Sequence, residues 1–340
     1  MNLFGLIIPP PFDTILVAVV QSLIWIVALL TIFAYVQYVE RRVIARIQVR
    51  IGPNRTGPLG LLQPVADAIK AIFKEELIPA QADKVIFVIA PGLSVALALI
   101  AFAVIPLGPD VNLLGWTFHL YIADVNVSLL FLLAIASLSV YGIVLAGWSS
   151  GNKYALMGGL RSAAQMVSYE VALGLALVGV LMLSGTLSLQ QTVQQQSGLW
   201  FVFLQPIGFV TYFIAAMAET NRLPFDLPEA ETELVAGYYT EYSSIKFAFF
   251  FMAEYINIIT VCAVTTALFL GGWQGPFGLF PGPWWFLLKV AVLIFIFMWV
   301  RGTFPRMRYD QLMNLGWKVL FPLALLNIAI TAAEIILFKF

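Results

Sequence analysis

The chain has 340 residues, 61% of them hydrophobic and 11% charged, with a mean hydropathy of +0.94. A soluble globular domain carries roughly 25% charged residues, so the composition predicts an all-α, polytopic membrane protein. Eighteen basic residues balance eighteen acidic ones, which leaves no electrostatic footprint for nucleic acid. One cysteine, Cys262, and one histidine, His119, exclude the ligand sets of haem, structural zinc or an iron–sulfur cluster, so no metal and no redox cofactor is expected on this chain. There is also no glycine-rich nucleotide fingerprint and no nucleophile with a histidine base. Any electron chemistry has to arrive from a partner.

Apolar runs of about 20 residues cross a hydrocarbon core of about 30 Å. Eight are predicted, at 15–38, 85–107, 125–148, 163–184, 200–219, 247–271, 284–300 and 318–338. The opening MNLFGLIIPPPFDT has no Lys or Arg, unlike the basic start of a secretory signal, so the first span is read as retained. Fifteen of the eighteen basic residues lie in loops one, three, five and seven, and none in the loops near 108–124, 185–199 and 272–283. This asymmetry predicts cytoplasmic odd-numbered loops and both termini outside. The whole chain, 1–340, reads as one membrane domain with a basic cytoplasmic segment at 39–84 and an acidic cytoplasmic loop at 219–246. The stretch QQTVQQQSG at 190–198 reads as an external loop, and Trp273, Trp284 and Trp285 as belt residues at span ends.

In the basic segment, Arg42, Arg46 and Arg50 recur every four residues and form one stripe if the first helix continues beyond the membrane, until Gly52 and Pro53 stop it. Beyond them Leu62, Val65, Ile69, Ile72, Phe73 and Leu77 fall near helical spacing, while Asp67, Lys70 and Lys74 share another face. That pattern predicts an amphipathic helix in the interface. It serves either as a surface anchor with phosphate-facing arginines or as a lateral doorway for a lipid-soluble substrate.

The acidic loop, ETNRLPFDLPEAETELVAGYYTEY from Glu219 to Tyr242, holds six carboxylates against the single Arg222. Prolines and apolar residues interleave with the acids, so the loop is expected to pack and to hold several carboxylates close together. Within the spans, Glu170 and Glu254 each lie roughly 10 Å below the basic boundary at 1.5 Å per residue, and Glu219 ends the fifth span on the same side. Ionisable groups at such depth are functional candidates. Two readings stand side by side: a graded series of acids that passes protons sideways to a partner, or structural ion pairs with Arg161, Arg222 or Arg301. Lys289 and Glu334 lie near the outer boundary, within reach of snorkelling.

Three stretches carry a family resemblance: ERRVIARIQVRIGPNRTGPLGLLQPVADAIK (Glu40 to Lys70), RSAAQMVSYE (Arg161 to Glu170) and the acidic loop. Together with RGTFPRMRYDQLM (Arg301 to Met313) they closely resemble the H subunit of bacterial respiratory complex I, the proton-pumping NADH:quinone oxidoreductase. The resemblance implies a membrane subunit that lines a quinone tunnel and couples quinone reduction to proton translocation, without being catalytic alone. It places Glu40, Arg41, Asp67, Ala68, Lys70, Arg222, Asp226, Glu229, Glu231, Glu233 and Arg306 around the tunnel, and Glu170, Glu219, Glu241 and Glu254 on a proton path. Some relatives carry an acid in the third span, and this chain has none there.

The resemblance further implies quinone as substrate, with FMN and iron–sulfur clusters held by partner subunits. Expected partners are the peripheral-arm subunits, small membrane subunits, antiporter-like pump subunits and membrane lipids. The expected location is the bacterial inner membrane with periplasmic termini, or alternatively the mitochondrial inner membrane. Other readings are the equivalent subunit of an energy-converting hydrogenase, a stand-alone proton-coupled transporter, and a purely structural anchor.

Overall fold

A computed structural model of the chain describes residues 2–3, 6–7, 12–109, 111–113, 116–229, 231–278 and 280–338. It is helical, apart from two short antiparallel pairs, Asn2–Leu3 with Leu6–Ile7 and Val111–Leu113 with Trp116–Phe118. Among the described residues seven helices are long and apolar enough to cross a membrane. The long helices are α1 (Phe12–Ile47), α3 (Lys84–Phe102), α4 (Ser128–Ser149), α5 (Lys153–Ser184), α10 (Ser244–Phe269) and α11 (Pro283–Thr303), and the last crossing is composite. Shorter helices are α2 (Gln63–Phe73), α6 (Leu189–Gln195), α7 (Phe201–Leu204), α8 (Pro206–Glu219), α9 (Glu231–Leu234), α12 (Tyr309–Asn314) and α13 (Phe321–Phe338).

The predicted fifth span is broken into α7 and α8. Pro206 lacks the N–H that would continue the ladder, and α8 alone, with 14 residues, reaches only about 21 Å at 1.5 Å per residue. Gln205 at the break is buried and donates to Thr331 Oγ1 at 2.9 Å, which ties the junction to α13. A predicted external loop is also structured: residues 189–195 form α6. Beyond its end, Gln196 donates to Ala267 O and accepts from Gly271 N, at 2.9 and 3.0 Å. Lys289 turns inward instead of snorkelling, donating to the carbonyls of Leu270, Gly272 and Gln274 at 2.5–3.0 Å. Trp284 is exposed as a belt residue should be, whereas Trp273 is buried.

Helix α10 is the axis of the bundle, packing against α1, α3, α8 and α11. Helix α5 forms a second centre, between α4, α8 and α13. The Asn152 side chain caps its start by accepting from Tyr154 N, and Gly185 ends it with φ 60°. Helix α5 begins ten residues before the predicted span, so it projects beyond the hydrocarbon on the basic side. The last crossing runs from α12 through a π-helical segment, Leu315–Leu320, into α13, and Tyr169 OH of α5 donates to Leu312 O beside it at 2.8 Å.

Helix α1 continues past the membrane as expected but ends at Ile47. Val49 adopts a left-handed conformation (φ 55°), and Arg50 N closes back onto Ala45 O at 2.8 Å. Arg42 and Arg46 therefore share the helix, and Arg50 lies beyond it. The amphipathic α2 forms where the apolar spacing predicted it, though Leu77 lies past its end. None of its residues is buried, and Val65, Ile69, Ile72 and Phe73 are exposed. Polar contacts hold it in place: Arg41 pairs with Asp67 at 2.7 Å, and Ser244 Oγ donates to Ala71 O and Lys74 O.

Candidate functional site

The acidic loop folds inward as its prolines and apolar residues predict. Asn221 (φ 52°) reverses the chain after α8, and Phe225 and Leu227 are buried. Gln165 of α5 pins the turn, donating to Ala218 O and Phe225 O at 2.7 Å each. These contacts aim Arg222 into the bundle, where it is 6% exposed. Its Nη2 donates to both Glu40 oxygens, at 2.8 and 3.0 Å, and to Tyr255 OH at 2.6 Å, while Nη1 pairs with Glu254. Arg301 of α11 pairs with the same Glu40. Two arginines and two glutamates from α1, the loop, α10 and α11 thus form a network of zero formal charge. Such compensation is needed wherever charge leaves water.

A second pair lies further along the loop. Arg306 Nη2 donates to Asp226 Oδ2 at 3.1 Å, and Met307 N donates to Pro224 O at 3.0 Å, joining the two loops on this side. Burial, and then the nearby Glu229 carboxylate, push the Asp226 carboxyl up to about 7 against the opposing effect of Arg306. Glu229 accepts from Tyr239 OH, whose phenol burial drives well above its usual range. Arg161 reaches the exposed Glu233 at 2.6 Å, and Asn152 donates to Glu241 at 2.7 Å. Ala68 and Lys70 are exposed on α2. The Glu231 side chain lies outside the described residues.

Glu219 borders two adjoining chambers. One, of about 50 Å³, also receives Ser139, Tyr212, Asn257 and Thr260; the other, of about 40 Å³, is shared with Asn221, Tyr238, Tyr239 and Glu254. A water needs roughly 10–15 Å³ measured this way, with two to four polar partners, so each chamber has room and partners for roughly three. Among the described residues the buried Thr260 Oγ1 has no hydrogen-bond partner, as expected of a group that faces such a chamber. Glu170 stands on α5 between Met166 and Leu173, which line the first chamber, and accepts from Ser137 Oγ of α4.

On the lipid-facing side an apolar crevice of about 400 Å³ opens between α1, α10 and α11, with Tyr35, Phe286 and Phe295 on its walls. Val36, Ile294 and Met298 line both this crevice and the small cavity of about 10 Å³ at Glu40, Arg222 and Arg301. Among the described residues no group of three or more His, Cys, Asp or Glu side chains is arranged to hold a metal ion.

Sequence reading singled out most of these groups, and its ion-pair alternative is met by Arg161 with Glu233 and Arg222 with Glu254, but it did not bring Glu40 to Arg222 and Arg301. Glu40, Arg222 and Glu254 converge on one network, Asp226 and Arg306 on another, and Glu219 with Glu254 on one chamber. Arg41 and Asp67 pair with each other at the surface. Glu170 and Glu254, expected at similar depth, have different partners, Ser137 and Arg222. Tyr255 and Ser137 carried no signal beyond being polar residues on apolar helices.

A bundle of membrane-spanning helices that buries compensated charges and holds carboxylates around polar chambers defines an integral membrane protein. A family profile described as NADH dehydrogenase matches residues 20–332. An H subunit of NADH-quinone oxidoreductase from Geobacter sulfurreducens is 55% identical, over 97% of each chain. One of the H subunits of Geobacter metallireducens is 56% identical over 94% of this chain and 96% of its own. The H subunit of Thermomicrobium roseum is 53% identical over the same shares. The chain belongs to the family of H subunits of NADH-quinone oxidoreductase, and is a membrane subunit of a multisubunit oxidoreductase.

Proposed function

We propose that this subunit guides a quinone from the membrane toward the Arg222 network and couples its reduction to proton movement through the acids behind it. The observation that carries the reading is that the apolar crevice and the charged cavity lie against the same three side chains, Val36, Ile294 and Met298. A long isoprenoid tail suits the crevice walls, and a polar headgroup suits the arginines and Tyr255. Residues Arg41, Asp67, Ala68, Lys70 and Arg306, with Asp226, Glu229, Glu231 and Glu233 of the acidic loop, border the route on the basic side. Electrons come from an iron–sulfur cluster of a peripheral-arm subunit, whose complex also holds the FMN.

Reduction of the quinone to quinol takes up two electrons and two protons. Withdrawing protons near closely spaced carboxylates changes their ionisation, and mutual repulsion relays the change. The two Glu219 chambers support such a relay, because waters held by Ser139, Asn257 and Thr260 would link Glu254 through Glu219 toward Glu170. Glu241 lies at the basic mouth of the path. The acids of this path reach no further than the inner half of the membrane, so the effect passes sideways, to small membrane subunits and the antiporter-like pump subunits. The clustering of basic residues at one end of the bundle supports termini on the opposite side of the membrane, and the bacterial relatives support an inner-membrane location, with those termini periplasmic.

A photoreactive long-tailed quinone added to the assembled complex tests the substrate route. Labelling on α1, α10 or α11 that native quinone competes away supports it. Specific labelling of the complex that avoids all three helices overturns it.

A further inference from the structure

Helix α4 has no acidic residue between Ser128 and Ser149, yet it forms one wall of the first Glu219 chamber, contributing Leu133, Ala136 and Ser139. Immediately beside Ala136, Ser137 Oγ donates to Glu170 Oε1. Among the described residues this is the one hydrogen bond to the Glu170 side chain. Met166 and Leu173, one turn on either side of Glu170, line the same chamber. The Ser137–Glu170 pair therefore closes the α4–α5 seam at the chamber rim. Ser139, the second hydroxyl on this stretch of α4, borders both chambers and donates to Ala136 O at 2.7 Å.

We propose that Ser137 is a positioning residue for proton coupling: its hydroxyl holds the Glu170 carboxylate at the rim of the Glu219 chamber, a task this acid-free helix performs without a titratable group of its own. A carboxylate on the edge of a helix can rotate between the seam and lipid, and a charged group turned to hydrocarbon is expensive. A hydroxyl one helix away fixes one rotamer, and it can both donate and accept, so it also serves a proton moving past it. The inference rests on the proposed coupling role of the acids, and the test keeps the two separable.

The test compares Ser137→Ala, Ser137→Thr, Glu170→Gln and the double variant Ser137→Ala/Glu170→Gln in the assembled complex, in proteoliposomes. NADH-to-ferricyanide activity, carried by partner subunits, serves as the assembly control. Quinone-linked turnover and proton uptake of Ser137→Ala should fall by roughly tenfold, the scale of one hydrogen bond to a charged group. Ser137→Thr should restore most of both. In the Glu170→Gln background the alanine change should add nothing, because Ser137 acts through Glu170. An impaired Glu170→Gln with an unimpaired Ser137→Ala overturns this inference alone. So does a further, additive loss in the double variant, or a threonine variant as poor as the alanine one. A fully active Glu170→Gln overturns the coupling reading, and this inference with it.

Discussion

Arg222 donates to both oxygens of Glu40 across 182 positions of sequence, so the polar loop after α8 is fastened to the first helix through a buried ion pair. The same guanidinium holds Glu254 and Tyr255 of α10, with its carbon 4.6 Å from the Tyr255 ring centroid. One side chain therefore orders three elements.

Arg222→Ala leaves Glu40 and Glu254 buried with lost partners, and removing one member of a buried pair costs about 3–5 kcal/mol. Little assembled complex should accumulate in membranes, as read by native gel and NADH-to-ferricyanide activity. Arg222→Lys keeps charge without the fork that spans Glu40 and Glu254, so it should assemble better but support reduced quinone-linked turnover.

The Asp226 carboxyl, raised to about 7 from an ordinary 3.8, makes this loop sensitive to pH. Between about pH 4 and 7 the folded loop keeps a proton that the unfolded chain releases, so its stability falls as pH rises through that window. Above about 7 Asp226 is charged and its ion pair with Arg306 is complete. Quinone-linked turnover should show a titration near pH 7 that Asp226→Asn removes, measured with ferricyanide activity as reference. A titration unchanged in the asparagine variant assigns it to another group.

Bulk placed in the apolar crevice should obstruct the substrate's tail. Ala291 is an exposed wall residue, and Ala291→Trp should raise the KM for long-tailed quinone several-fold while changing kcat little. Short-tailed analogues should be affected less. Steady-state kinetics with two tail lengths reads the difference.

Gly158 of α5 sits where an added Cβ would lie 2.9 Å from both Gly237 Cα and Tyr238 N. Gly158→Ala should push the 3-10 turn at Gly237–Tyr239 away from α5, with an overpacking cost of about 1–3 kcal/mol. The Glu229–Tyr239 contact should loosen, seen as faster hydrogen exchange across residues 229–240 with α5 itself still protected.

The helical class, the crossings and the amphipathic α2 were legible because each depends on local composition and period. The break at Gln205–Pro206 was not, since the apolar run around it is continuous and the proline's effect depends on what satisfies the freed backbone. Helix α6 was hidden by its glutamines, which read as solvated but fix neighbouring chain, as Gln195 does by donating to Ser184 O and Gln196 does just past the helix end. Candidate acids stood out as charges in an apolar chain, and the family motifs added Glu40 and Arg306. Their pairings did not stand out, because Glu40, Arg222 and Arg301 meet only when three distant elements pack. Ser137 was invisible for the same reason, being one hydroxyl among several on an apolar helix.

Glu219→Gln in the assembled complex is the most direct test, because it keeps the shape of the residue shared by both chambers and removes only its titration. NADH-to-quinone electron transfer and proton pumping should both drop, by roughly tenfold or more as for loss of a positioned proton-transfer group, while NADH-to-ferricyanide activity holds. Full quinone-linked turnover and pumping in that variant would show that the carboxylates are scaffold and contradict the coupling account.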